Sequence, residues 1–307
     1  MPRFEYLEAR TLRQAISLCQ RYGEDARIVA GSTDFLVRWR LGAWKPQYVI
    51  NIQHVPGLSR VSYSAGNGLR LGALVTVQTL ESHAVIRRRY PALAVAAATF
   101  AGVQVRNLAT VGGNICNASP AGDTLPALLA FDAQCRIVGS DGERWVPLEE
   151  FFTGPGQTVL ELGEILVELR LPPPLPNSGS LYIKHSPRSA MDIATVGVAS
   201  VVSLQDRGTV CRDAKIALGA VAPEPVRAHG AEDMLRGQVL TPELIAAAAS
   251  EAQRGSSPID DIRGTGEHRK AMVRVLTQRT LERAIAMARR EPMPFEVQRR
   301  LAVQAAF

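Results

Sequence analysis

Hydrophobic positions change period several times along the chain, and those changes mark out three segments. In the first, residues 1–55, Leu12, Ala15, Ile16 and Cys19 recur at helical spacing, and Thr11 with Gln14 supplies the spacing of a capping box. A short apolar run at 27–30 reads as a strand, followed by a turn of small residues, Gly31-Ser32-Thr33-Asp34. Residues 35–41 are amphipathic, and 48–52 read as a second buried strand. The pattern is that of a small α/β unit.

The second segment, 56–178, opens with expected strands at 61–64 and 69–74, joined through Gly66-Asn67-Gly68. Residues 79–90 read as one helix and the alanine-rich run 93–98 as another, packed one. Residues 102–120 show neither helical nor strand periodicity. A helix is expected from Asp123 or Thr124 to Phe131, with Asp123 placed to cap it and Pro126 tolerable in its first turn. Strands resume at 135–138, 144–146 and 165–171. Residues 172–179 break every pattern and read as a linker or crossing loop. The third segment, 179–307, carries strands at 196–204 and 214–218. A strong helix start follows at Thr241-Pro242-Glu243, and a last long helix covers about 267–288. No internal repeat is visible.

Charge and composition narrow the function classes. The 35 Lys and Arg against 29 Asp and Glu leave +6 over 307 residues, an ordinary globular balance. No apolar run approaches the ~18–20 residues of a membrane span, and the first ten residues lack the apolar core of a secretory signal. Cytoplasmic residence is the expectation. The run Arg87-Arg88-Arg89 suits a helix C-terminus. It lacks the interleaved aromatics of a nucleic-acid surface, so no nucleic-acid partner is expected. Cys19, Cys116, Cys135 and Cys211 are scattered, without CxxC spacing or a histidine cluster, and no metal site is expected in this chain. His54, His83, His185, His229 and His268 are dispersed among polar neighbours, and no catalytic side chain is assigned. There is no G-x-G-x-x-G after the first strand, no Walker loop and no nucleophile elbow.

Two stretches hold candidate chemistry. In Val29-Ala30-Gly31-Ser32-Thr33-Asp34-Phe35-Leu36 a strand runs into a small-residue turn, where successive N–H groups can converge on an anion. A strand–turn–helix junction with no ligand has the same pattern. The stretch from Ala109 to Asp123 contains Thr110-Val111-Gly112-Gly113-Asn114 and is uncharged until Asp123. A buried loop of that kind must satisfy its backbone polar groups, and a bound ligand is one way to do so. Together the two stretches point to a large, polyanionic, ring-bearing cofactor.

The residues 29–36, the run from Phe100 to Asn114, the following Asn117-Ala118-Ser119-Pro120-Ala121-Gly122-Asp123, and Tyr182-Ile183-Lys184 with Met191-Asp192-Ile193-Ala194 carry a family resemblance. So does Asp261-Ile262-Arg263-Gly264 before the last helix. The chain resembles the FAD-binding medium subunit of molybdenum hydroxylases, the xanthine dehydrogenase, carbon monoxide dehydrogenase and aldehyde oxidoreductase family. The two cofactor motifs lie about 75 residues apart, and the resemblance covers nearly the whole chain.

The resemblance implies an α+β protein. A two-part FAD-binding domain of the vanillyl-alcohol-oxidase (PCMH) type is followed by a small α+β C-terminal domain with an antiparallel sheet. It implies that Val29, Ala30, Gly31, Ser32, Thr33, Asp34, Phe35 and Leu36 wrap the FAD diphosphate. Thr110, Val111, Gly112, Gly113 and Asn114 would turn N–H groups to the diphosphate and ribityl chain. Phe100 would lie near the isoalloxazine, Asp123 would hydrogen-bond the cofactor, Leu166 would make an apolar contact, and Lys184 would sit close to the flavin. Neither loop holds a histidine, so non-covalent FAD is expected. Molybdopterin and two [2Fe–2S] clusters are expected on a large and a small partner subunit, in a dimer of heterotrimers that delivers electrons through FAD to an external acceptor. The loop 186–192 carries no acidic residue ahead of Asp192, where NAD-linked relatives often have them. A self-sufficient FAD-dependent oxidase of the vanillyl-alcohol oxidase type is the alternative reading.

Overall fold

The computed structural model describes residues 3–188, 191–205, 208–291 and 293–304. Ser189 and Ala190, in the loop just noted, lie outside the described residues. The first unit contains β1 (Glu5–Glu8), α1 (Leu12–Tyr22), β2 (Ala26–Val29), α2 (Phe35–Arg40) and β3 (Tyr48–Asn51). β3 pairs in parallel with both β1 and β2. The expected cap of α1 forms: Thr11 Oγ1 accepts from Gln14 N at 3.1 Å, while Gln14 Oε1 accepts from Arg10 N.

The second unit is a five-stranded antiparallel sheet with a run of short helices on one face. Its elements are β4 (Val61–Ser64), β5 (Gly68–Gly72), α3 (Val77–Ser82), α4 (Ala84–Arg89), α5 (Pro91–Thr99), α6 (Val103–Leu108) and α7 (Val111–Cys116). They continue through α8 (Leu125–Ala130), β6 (Gln134–Gly139), β7 (Gly142–Pro147), the small hairpin of β8 (Phe152–Gly154) with β9 (Gln157–Thr158), and β10 (Ile165–Leu171). The sheet order is β4-β5-β10-β6-β7. Central β10 is buried on both faces. Leu166, Leu169 and Leu171 join the helices, while Ile165 and Val167 join Ala15, Ile16 and Cys19 of α1. A bulge between Leu166 and Glu168 shifts the alternation. This strand therefore fixes the first unit against the second.

The third unit is an antiparallel sheet of β11 (Ser178–His185), β12 (Val196–Gln205), β13 (Val210–Gly219) and β14 (Val226–Arg227). It is covered by α9 (His229–Leu235), α10 (Pro242–Arg254), α11 (Gly266–Ala288) and α12 (Phe295–Gln304). Its core and that of the second unit touch, because Tyr182, Ala199 and Ala217 belong to the helix cluster around α5.

Several expectations change. The helix expected at 79–90 is broken at His83, which is extended (φ −69°, ψ 122°) and ends α3 before α4 begins. The aperiodic stretch 102–120 holds two six-residue helices, too short to display a period. The proline run ends sooner than expected, since β11 starts at Ser178. Asp123 does not cap α8; Thr124 precedes that helix, and Asp123 is committed elsewhere. The basic run at 87–89 does end a helix as expected, closing α4, with Arg87 over the Phe295 ring and the exposed Arg89 over Tyr63.

Candidate cofactor site

The two candidate stretches meet in space. Gly31 packs so closely on the end of α6 that a Cβ there would come within 1.8 Å of the Leu108 carbonyl oxygen. Only glycine tolerates that approach. Ser32 is left-handed at φ 59°, and helical backbone follows at Asp34. Such a change of hand turns successive amides to one side. Among the described residues, the N–H groups of Gly31, Ser32, Thr33 and Asp34 donate to no protein acceptor. The turn is held from β3: Gln53 Nε2 donates to the Ala30 carbonyl at 2.8 Å, and Gln53 N donates to Asn51 Oδ1 at 3.0 Å. Val29 and Phe35 point away into a small cluster with Val49, Trp39 and Trp44, while Leu36 is exposed. Burial pushes the Asp34 carboxyl up, against Arg38, which pulls it down.

In the second stretch the N–H groups of Val111, Gly112, Gly113 and Asn114 donate to Val75 O, Ala73 O, Thr110 Oγ1 and Thr110 O. Thr110 caps α7 through its hydroxyl. Gly112 is a packing glycine, since a Cβ there would meet Ala73 at 2.7 Å. Gly113 is exposed and leaves the start of α7 bare. Asn114 is buried and accepts from Thr124 Oγ1 at 2.6 Å. Asn117 Oδ1 is buried with no partner among the described residues. Cys116 meets solvent, yet is so surrounded by protein that burial pushes its thiol up to about 12.

Asp123 and Lys184, 61 residues apart, form a buried pair at 2.8 Å, with exposures of 7% and 6%. Lys184 Nζ also donates to the Thr99 carbonyl at 3.2 Å, and the Tyr182 hydroxyl donates to Asp123 Oδ1 at 3.3 Å. Burial pushes the Asp123 carboxyl up, while Lys184 and Tyr182 draw it down. Burial and the Asp123 charge both hold the Tyr182 phenol well above its ordinary value. Lys184, expected close to the flavin, is therefore half of a buried ion pair, and the Asp123 carboxylate is engaged by protein groups. Phe100 is half-buried at the end of α5. Leu166 is enclosed in the core with the helix cluster.

Three participants escaped the sequence reading. Gln53 carries no local signal. Arg106 and Glu81 form a buried ion pair at 2.8 Å. Arg106 had a signal available, being the one charged residue between Arg89 and Asp123. Among the described residues, no three His, Cys, Asp or Glu side chains gather as a metal ion would require. No described helix is long and apolar enough to cross a membrane.

Parallel α/β unit, helix-faced antiparallel sheet and C-terminal antiparallel sheet, with the Gly31 turn pressed onto the end of α6 between the first two, define a dinucleotide-binding flavoprotein architecture. The chain belongs to the family of the FAD binding domain in molybdopterin dehydrogenase, whose model matches residues 2–174. The CO dehydrogenase flavoprotein C-terminal domain matches residues 182–284. The chain is 34% identical over 285 residues to the carbon monoxide dehydrogenase medium chain of Hydrogenophaga pseudoflava, covering 93% of this chain and 98% of that one. It is 33% identical over 284 residues to a putative xanthine dehydrogenase FAD-binding subunit of Escherichia coli, covering 92% and 96%. Among solved structures, the Hydrogenophaga pseudoflava carbon monoxide dehydrogenase that lacks the Mo-pyranopterin moiety superposes with a TM-score of 0.89 at 34% identity, over 94% of this chain and 98% of that one. Quinoline 2-oxidoreductase from Pseudomonas putida superposes with a TM-score of 0.87 at 31% identity, over 94% and 99%.

Proposed function

We propose that the cleft between the first two units holds FAD non-covalently, and that the chain is the flavin subunit of a molybdenum-containing hydroxylase or dehydrogenase. The observation that carries this reading is the run of four unengaged amides at Gly31–Asp34, pressed by Gly31 onto the end of α6. A diphosphate is the anion such a concavity fits. The hydroxyls of Ser32 and Thr33 add donors. Gly113 and the unpartnered Asn117 Oδ1 fit a ribityl chain, whose hydroxyls donate hydrogen bonds. Phe100 and the Lys184–Asp123–Tyr182 group border the ring end.

When bound, FAD supplies the exchange of electrons between iron–sulfur clusters on a small partner subunit and an external acceptor. The chain's own residues bind and orient. The Gly31–Asp34 amides hold negative charge, Gln53 fixes the turn that presents them, and the buried ion pair gives the ring end a fixed, near-neutral polar wall. Substrate hydroxylation belongs to a large molybdopterin-binding subunit, in a cytoplasmic dimer of heterotrimers. The division of the chain into 1–55, 56–178 and 179–307 goes with this reading, the first two parts sharing FAD.

The test is direct. The purified chain should be yellow, release all its FAD on acid precipitation, and oxidise neither aldehydes nor purines. A colourless chain that takes up no FAD overturns the cofactor assignment. Turnover of an alcohol with oxygen by the chain alone would favour the self-sufficient oxidase.

A further inference from the structure

We infer that Arg106 and Glu81 are positioning residues for the cofactor site: together they hold α6 so that its two ends present the Phe100–Ala101 turn on one side and the Leu108 carbonyl on the other. The inference deepens the reading of the cleft as an FAD site and rests on it.

The placement of α6 makes this role necessary. At six residues it is far too short to be stable alone. Its C-terminal end meets Gly31, whose amides begin the anion turn. Its N-terminal end follows Ala101, a non-glycine residue at φ 38°. The left-handed region is disfavoured for any residue with a Cβ, so this turn needs external support. Arg106 supplies it. Its Nη1 donates to the Phe100 carbonyl at 3.1 Å and to the Ala101 carbonyl at 3.3 Å.

Glu81, on α3, lies 2.8 Å from Arg106 Nε, and both side chains are under a tenth exposed. The same helix grips the other end of α6 through backbone, where Val77 N donates to the Ala109 carbonyl at 2.9 Å. α3 thus clamps α6 at both ends, by main chain at one and by a charge pair at the other. Buried pairs are poor sources of net stability, and their best-attested use is to fix one arrangement among several. Here the arrangement fixed is the distance between the anion turn and the aromatic turn.

The test uses the full chain with Arg106→Lys, Glu81→Gln, and Ala101→Gly placed in the Arg106→Lys background. Lysine keeps the charge but cannot reach a carboxylate and two carbonyls together. Three readouts are compared: the dissociation constant for FAD by flavin fluorescence, the visible circular dichroism of bound flavin, and hydrogen exchange across residues 99–110 in the FAD-free chain. Arg106→Lys and Glu81→Gln should each weaken FAD binding by about tenfold, change the flavin dichroism, and speed exchange at the amides of residue 106 and Ala109, which donate to Gly102 O and Val105 O. Ala101→Gly should recover much of the affinity, because glycine takes a positive φ without strain. Unchanged affinity and dichroism in both single variants overturns the inference. So does a loss that follows global stability, with no local exchange change and no rescue. A wild-type chain that takes up no FAD overturns the functional reading instead; unchanged exchange in the variants would then overturn the clamp as well.

Discussion

Replacing Lys184 with Met strands the Asp123 carboxyl group in the protein interior. The Lys184 ammonium lies 2.8 Å from Asp123 Oδ2, with both side chains under a tenth exposed. Removing one partner of such a pair costs about 3–5 kcal/mol. Tyr182 keeps its hydrogen bond to Asp123 Oδ1, which puts the expected loss near the lower end, about 3 kcal/mol. The pH dependence discriminates further. Burial holds Asp123 above its ordinary value while Lys184 pulls it down. A folded-state value above the unfolded one means that the folded chain binds more protons in the window between them, so stability falls as pH rises through that window. Loss of Lys184 removes a lowering influence and extends the window upward. The stability deficit of Lys184→Met relative to wild type should therefore be level up to the wild-type folded value of Asp123 and grow only above it, towards neutrality, by up to about 1.4 kcal/mol per pH unit. Urea unfolding of both FAD-free chains across this range measures it, and the difference cancels the carboxylates they share. A deficit flat in pH would refute the reasoning. So would a Lys184→Met, Asp123→Asn double variant that keeps the slope.

Other substitutions separate packing from cofactor contact. Gly31→Ala drives a Cβ into the Leu108 carbonyl and should yield chain purified with little FAD; full flavin absorbance would show that the turn can retreat. Thr110→Ala removes the hydroxyl that accepts from Gly113 N at 3.0 Å and should cost about 1 kcal/mol in urea. Gly112→Val should lower the melting temperature of the FAD-free chain through its clash with Ala73, an effect absent if the glycine serves only the ligand. Burial pushes the Glu232 carboxyl up, but Arg227, the Ile216 N–H and His229 bring it below its ordinary value. Its contribution is present above the unfolded value and lost as pH falls through the folded one. Glu232→Gln should therefore destabilise at neutral pH and progressively less in acid, as read by thermal unfolding.

Elements with uninterrupted patterns were readable from the residues: the capped α1, the strands at 61–64 and 165–171, and the long α11 all stand close to where periodicity puts them. The first turn was readable too, because Gly31-Ser32-Thr33 has a local chemical meaning. What escaped depends on distance in the chain. Nothing near Asp123 announces Lys184, and a capping role was the reasonable local reading of an aspartate before an apolar run. Nothing near Gly112 shows that Ala73 stands over it. β1 is only four residues and exists through its pairing with β3. α6 and α7 are too short to show a period, and their helical state is supported by α3, by the 73–75 backbone and by β10. Propensity cannot report contacts that the rest of the chain supplies.

α5 has a consequence for how such a chain can be divided. It is buried on every side, packing on α3 within its own unit and on β11 of the next, with Ala92 N donating to Ser180 Oγ across the boundary. A helix with no polar face cannot end a fragment. A gene truncated at the proline run would leave the β11-facing side of α5 open to water, and its product should aggregate rather than fold as a smaller flavoprotein. Two separately recognisable family segments are thus one unit of inheritance. Recombination that exchanged the C-terminal segment between relatives would have to carry a matching α5 with it.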